Sequence, residues 1–153
     1  MKIIFVCTGN TCRSAMAEGL AKKVVEEKNL DIEVYSAGIF AVNGEHASYN
    51  SIAVMKEYDV DIVTHTATPI DEVNLEEMDL ILCATYSHKI DIIQRYENLK
   101  DRVYTMKEYA GLDENGQDLD IKDPWGYNLN TFRICAAEIS FCVDKIIERI
   151  ISN

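Results

Sequence analysis

Residues 2–20 read KIIFVCTGNTCRSAMAEGL, and the fold follows from how this stretch is parsed. Lys2–Val6 is an unbroken apolar run of strand length, Cys7–Arg13 a polar turn containing Gly9, and Ser14–Lys28 a helical stretch with Met16, Leu20 and Val24 on one face. A strand that is apolar throughout has both faces covered, which points to a parallel sheet between helical layers. The same alternation continues downstream. Ile32–Ala37 reads as a strand ended by Gly38, His46–Tyr58 as a helix, Asp79–Ala84 as a strand, Ser87–Tyr96 as a helix and Arg102–Thr105 as a short strand. Thr68-Pro69-Ile70-Asp71 has the form of a helix start, with Thr68 as cap and Pro69 in the first turn. Leu112–Asn128, rich in Asp, Gly and Asn, reads as a long loop whose part Leu112–Asp120 is expected to be mobile. Thr131–Ile151 is the last helix, with Phe132, Cys135, Ile139, Cys142, Ile146 and Ile150 on its core face. The expectation is an α/β three-layer sandwich around a central parallel sheet of about four strands.

Composition agrees with that frame. The chain has 153 residues, 48% of them hydrophobic and 27% charged, with 7 Gly and 2 Pro, which excludes disordered and collagen-like classes. One domain spanning 1–153 is expected, large enough to bury a core without staples. No apolar run approaches the roughly 18–20 residues of a membrane span, and the N-terminal apolar run is too short for a signal peptide, so a soluble cytoplasmic protein is expected. The net charge of −11 repels nucleic acid and anionic membrane, so neither is an expected partner, and any anionic ligand must be held by a local pocket. Five cysteines cannot all pair within one chain. Cys83, Cys135 and Cys142 lie in apolar segments and read as reduced, buried thiols, and there is no CxxC or Cys/His cluster for a metal.

The turn after the first strand carries the chemistry. In Cys7-Thr8-Gly9-Asn10-Thr11-Cys12-Arg13-Ser14, successive backbone N–H groups can curl around one tetrahedral anion at the positive end of a helix. Gly9 and Asn10 are residue types that tolerate left-handed backbone. Arg13 can fork onto two phosphoryl oxygens. The same groups favour a Cys7 thiolate beneath the anion, and Ser14 can donate to that sulfur. This is a phosphate-binding loop with a built-in nucleophile. It has neither the Gly-Lys-Ser/Thr of a Walker loop nor the GxGxxG of a dinucleotide site. The leaving group needs a proton donor, for which Asp123 in Asp123-Pro124-Trp125-Gly126 is the candidate, with Trp125 as a wall for the substrate side chain.

With these residues in view the chain resembles the low-molecular-weight protein tyrosine phosphatase family over nearly its whole length. IFVCTGNTCRSAMAE is similar to that family's phosphate loop, and DPWG to its Asp-Pro acid loop. The resemblance implies Cys7 as nucleophile, Arg13 as phosphate clamp, Asp123 as general acid, and Asn10 and Ser14 as loop supports. Thr8, Gly9, Asn10, Thr11, Cys12, Arg13, Ser14 and Trp125 become the expected substrate-binding set, with no metal and no cofactor. Thr11 stands where phosphotyrosine-acting relatives usually carry Ile. Together with a single aromatic before Gly126, it is similar to the bacterial protein arginine phosphatase branch. Ala15 stands where many relatives have Pro, a departure that affects how the helix begins. The resemblance thus implies hydrolysis of phosphoarginine in phosphorylated proteins through a phosphocysteine, with phosphotyrosine as the alternative. A thiol-relay arsenate reductase shares this loop, but Ile90 occupies the position where a further thiol would serve with Cys83. A phosphocysteine carrier has no use for a hydrolytic acid.

Three further expectations rest on single residues. Cys7 and Cys12 share one tight loop, so peroxide is expected to join them as a disulfide, unless Cys12 only packs beneath the loop. His65 is placed either under the phosphate loop or on the surface, and His46 and His88 are placed in solvent. Tyr127 is a substrate wall or a cap on the last helix.

Overall fold

A computed structural model describes residues 1–113 and 118–153. The segment expected to be mobile therefore falls in part, at 114–117, outside the described residues. Strands β1 (Lys2–Cys7), β2 (Glu33–Gly38), β3 (Leu80–Cys83) and β4 (Val103–Thr105) form one parallel sheet in the order β2-β1-β3-β4. The chain leaves β1 through helix α1 (Arg13–Glu27) to β2 on one side, then crosses back to β3 on the other. The carboxyl end of β1 is thus the switch point, where a parallel sheet opens a crevice.

Side-chain alternation explains the apolar run in β1. Ile3 and Phe5 point into a core shared with α1 and with α5 (Leu129–Ser152), while Ile4 and Val6 point into a second core on the opposite face. In the first core, Met16, Ala17, Leu20 and Ala21 of α1 meet Phe132, Ile139, Cys142 and Ile146 of α5. The second holds Ile81 and Cys83 of β3, Ile92 of α3 (Tyr86–Arg95), Leu99 and Val103. The three-layer sandwich is as expected.

Several boundaries differ from the sequence reading. Helix α2 runs Tyr49–Glu57, not from His46, because His46 pairs with Thr66 in an antiparallel bridge and Ser48 caps the helix by accepting from the Ser51 N–H. Thr68-Pro69 does not start an α-helix. Pro69 bridges Gly38 beside β2, the Thr68 N–H and C=O are taken by Asn10 and Gly38, and only a 3-10 turn, Ile70–Glu72, follows. The sequence reading also missed a 3-10 stretch, Glu97–Arg102, and the short helix α4 (Met106–Tyr109), which Thr105 and Glu108 close with a reciprocal capping box.

Gly38 is required by proximity. A Cβ there would stand 2.6 Å from the Thr8 carbonyl oxygen and 2.9 Å from the Asn10 nitrogen, both rigid backbone. Gly38→Ala is expected to cost about 1–3 kcal/mol through overpacking, read as a lower denaturation midpoint. Gly9→Ala, whose Cβ would meet nothing nearer than 3.8 Å, should shift stability by less than about 0.5 kcal/mol.

Candidate active site

Cys7 ends β1 with its side chain buried, and the loop to α1 folds over it. Its Sγ receives the Asn10 N–H at 3.3 Å and lies 2.8 Å from the Ser14 hydroxyl. Asn10 donates its carboxamide N–H to Ser14 Oγ at 2.8 Å, so Ser14 has its own proton free to give to sulfur. Two donors therefore converge on the thiol. Asn10 sits in left-handed backbone at φ 58°, the one loop residue that does, and an asparagine tolerates this at low cost. Gly9, expected to share that conformation, has no positive φ. Asn10 also bonds Ser36 Oγ at 2.9 Å, accepts the Thr68 N–H on its side-chain oxygen at 2.9 Å, and shares its carbonyl with His65 Nε2 at 2.7 Å. His65 thus lies under the loop, within 3.7 Å of the Glu18 carboxylate.

Arg13 is 4% exposed. Its Nη1 donates to the Ile121 carbonyl at 2.8 Å, and its Nη2 lies 3.4 Å from Thr8 Oγ1 and 3.7 Å from Asp123 Oδ2. Ile121 is in turn tied to the end of β3, its N–H meeting the Ala84 carbonyl at 2.8 Å. The guanidinium therefore draws the Asp123 strap against the loop. Asp123 accepts the Trp125 N–H at 3.1 Å, and Gly126 at φ 83° lets the chain turn away. Asp123 is half-exposed at the edge of the loop.

These residues surround a cleft of about 240 Å³. Cys7, Thr8, Gly9, Thr11, Cys12 and Arg13 form its floor and sides, and Asp123 and Trp125 its far wall. Trp125 is 69% exposed at the mouth, consistent with a wall that a ligand would cover. Phe40, Val42 and Glu45 complete the lining and were not read from the sequence. The available signal was two apolar side chains in the loop after the strand-ending Gly38. Asn10 and Ser14 lie behind the loop rather than on the cleft surface. Tyr127 borders an adjoining groove with Tyr49 and Trp125, beneath the Lys122 ammonium at 4.6 Å, and the cap of α5 is Asn128.

One histidine placement is corrected. His46 is exposed, but His88 is only 8% exposed, because the first turn of α3 lies against the loop. Its Nε2 shares a 2.8 Å hydrogen bond with Thr8 Oγ1. Burial, reinforced by Arg13, pushes the imidazole down to about 4, so it is neutral near pH 7. The cysteines are all reduced. Cys12 lies under the loop with Sγ 3.3 Å from Ser48 Oγ, and burial raises its pKa. Burial also pushes Cys135 up to about 12 and Cys142 up to about 11, and raises Cys83, which is fully enclosed in the sheet. These three are core residues. A relay through Cys83 has no opening to the cleft.

Known proteins are similar to this chain in sequence and in fold. The profile of the family described as "Low molecular weight phosphotyrosine protein phosphatase" matches residues 2–153. A protein-arginine-phosphatase of Bacillus subtilis (strain 168) is 38% identical over 133 residues, 87% of this chain and 85% of that one. The low molecular weight protein-tyrosine-phosphatase PtpB of Staphylococcus haemolyticus is 37% identical over 146 residues, 95% and 97% of the two chains. Among solved structures, a C7S mutant of the YwlE arginine phosphatase with a phosphorylated active site serine superposes with a TM-score of 0.92 at 33% identity, covering 100% of this chain and 97% of its own.

Proposed function

The chain belongs to the low molecular weight phosphotyrosine protein phosphatase family and is a protein phosphatase, and from that premise we propose that it hydrolyses phosphoarginine in proteins through a phosphocysteine. The observation that carries the catalytic reading is the convergence of three groups on one cleft. Two donors meet at Cys7 Sγ, the Arg13 guanidinium stands beside the loop, and Asp123 lies 3.7 Å from that guanidinium. In this reading the phosphoryl group lies in the loop with its oxygens on backbone N–H groups and Arg13. The Cys7 thiolate attacks phosphorus as the P–N bond breaks, and Asp123 gives its proton to the departing guanidine nitrogen. Asp123, now ionised, takes a proton from water as that water attacks the phosphocysteine. The S–P bond breaks, inorganic phosphate leaves, and Ser14 stabilises the returning thiolate. The phosphorylated serine of the C7S relative supports a phosphoryl acceptor at the loop's first residue. Nucleophile, clamp and acid are all side chains, so the scheme needs no cofactor, and the cytoplasm, where thiols stay reduced, suits it.

Phosphoarginine is favoured over phosphotyrosine by what lines the cleft. The Glu45 carboxylate suits a cationic guanidinium, and Thr11 puts a hydroxyl where an apolar side chain would otherwise stand. Relatives named protein-arginine-phosphatase add to this. Phosphotyrosine is the second reading, because Phe40, Val42 and Trp125 offer apolar walls to a flat ring.

Cys7→Ser should abolish turnover while phosphate still binds, and Asp123→Ala should lower kcat by roughly 10²–10⁴-fold, with chelators without effect on the wild type. Retained turnover in Cys7→Ser would end the proposal. For specificity, the measurement is kcat/KM on matched phosphoarginine and phosphotyrosine peptides. Wild type should prefer phosphoarginine, and Thr11→Ile, by adding apolar contact and removing a polar partner, should move the ratio toward phosphotyrosine by roughly 10²-fold. An unmoved ratio rejects the arginine reading and leaves the phosphatase intact.

The pair Cys7 and Cys12 is also proposed as a redox switch. Hydrogen peroxide oxidises the Cys7 thiolate to a sulfenic acid with release of hydroxide, and the Cys12 thiol then displaces water from that sulfur to close the disulfide. Mass spectrometry of peroxide-treated protein should find that bridge, reversible by thiols. Sulfonic acid at Cys7 with Cys12 unmodified would reject it.

A further inference from the structure

Thr8 and His88 form a pair that the catalytic scheme leaves without a task. Thr8 Oγ1 stands between Arg13 Nη2 at 3.4 Å and His88 Nε2 at 2.8 Å. A guanidinium can only donate, so the threonine oxygen accepts from Arg13. His88 is buried at the start of α3, anchored by its backbone N–H on Thr85 Oγ1 at 3.1 Å, and its Nδ1 has no hydrogen-bond partner among the described residues.

That unpartnered nitrogen fixes the tautomer. If Nδ1 carried the proton, a buried N–H donor would be left unmet, whereas a bare lone pair there is the milder omission. The proton therefore sits on Nε2 and is donated to Thr8 Oγ1. The threonine oxygen then accepts twice, from His88 and from Arg13, and its own hydroxyl proton is left for the cleft that Thr8 lines.

We propose that His88 is a positioning residue that acts through the Thr8 hydroxyl, locking it as an acceptor for Arg13 and as an additional donor to the anion in the cleft. The proposal rests on Arg13 being the phosphoryl clamp. It explains why an imidazole is enclosed beside a guanidinium: the neutral ring supplies one directed N–H without adding a second positive charge. It also explains why the ring belongs on α3, whose first turn lies against the loop and brings Nε2 to Thr8. Arg13 is then held on two sides, by the Ile121 carbonyl and by the hydroxyl that His88 orients.

Two amides separate this role from simple packing. A glutamine carboxamide N–H can stand where Nε2 stands, and an asparagine's reaches only the Nδ1 position. His88→Gln should keep the inhibition constant of inorganic phosphate and kcat/KM on the phosphopeptide cleaved by wild type within about threefold. His88→Asn and His88→Ala should each weaken phosphate and lower kcat/KM by about tenfold, the scale of one charge-linked hydrogen bond. Thr8→Val should do the same, and Thr8→Val combined with His88→Ala should be no worse than Thr8→Val alone. Asparagine performing as well as glutamine, or additive losses in the double variant, overturns the proposal. Nitrogen-15 spectra of the wild-type imidazole give a reading that needs no variant. A proton on Nε2 supports the arrangement, and a proton on Nδ1 overturns it. A wild type that neither cleaves phosphopeptides nor is inhibited by phosphate would instead remove the phosphatase reading, and the tautomer alone would then judge the pair.

Discussion

Asn10 holds the site together by occupying a backbone conformation that costs energy and compensating for it with every polar atom it has. Its N–H meets Cys7, its carbonyl His65, its carboxamide nitrogen Ser14 and Ser36, and its carboxamide oxygen the backbone of Thr68. Four separate chain segments are thereby fixed to one residue in the middle of a seven-residue loop. Gly38 supports the same geometry by having no side chain where the Thr8 carbonyl and the Asn10 nitrogen approach β2. A loop made this rigid can present its N–H groups to an anion without reorganising when the anion arrives, which is how preorganised dipoles do more than mobile water.

Local preorganisation also resolves the mismatch between ligand and overall charge. The chain carries −11, yet the proposed reaction asks its cleft to accept a dianion. Long-range attraction is not available, and the work falls on the helix end, the loop backbone and one buried guanidinium, all within a few ångströms of the reacting atoms. In the proposed reading, the acidic surroundings then act as a filter on what the phosphoryl group is attached to.

The parts of this architecture that depend on near neighbours were legible in the sequence. The strand–loop–helix unit at residues 2–27 follows from one apolar run, one turn and one helical face, and the parallel sheet from the unbroken apolar runs of β1 and β3. What was missed depends on contacts between distant segments. His46 starts no helix because residues 45–47 run beside 66–67, with the Ala67 N–H on the Glu45 carbonyl at 2.7 Å. His88 looks like a solvated residue in a polar helix start and is buried because the first turn of α3 lies against the loop, where Thr8 meets its ring. Phe40 and Val42 look like ordinary loop residues until the Trp125 strap closes the other side of the cleft. Periodicity reports what an element does to its own faces and is silent about which loops the sheet order brings together.

The hydrogen bond from Arg13 to the Ile121 carbonyl joins residues 108 positions apart. During synthesis on a ribosome, the loop and first helix emerge early, but the group that braces the guanidinium arrives only when most of the chain has been made. The nascent protein therefore carries its thiol through much of translation without its anion-binding partner in place. Closing so distant a contact is among the slower events of folding, and the same holds for the docking of α5 on α1, so the core and the braced guanidinium both wait for the C-terminal third of the chain.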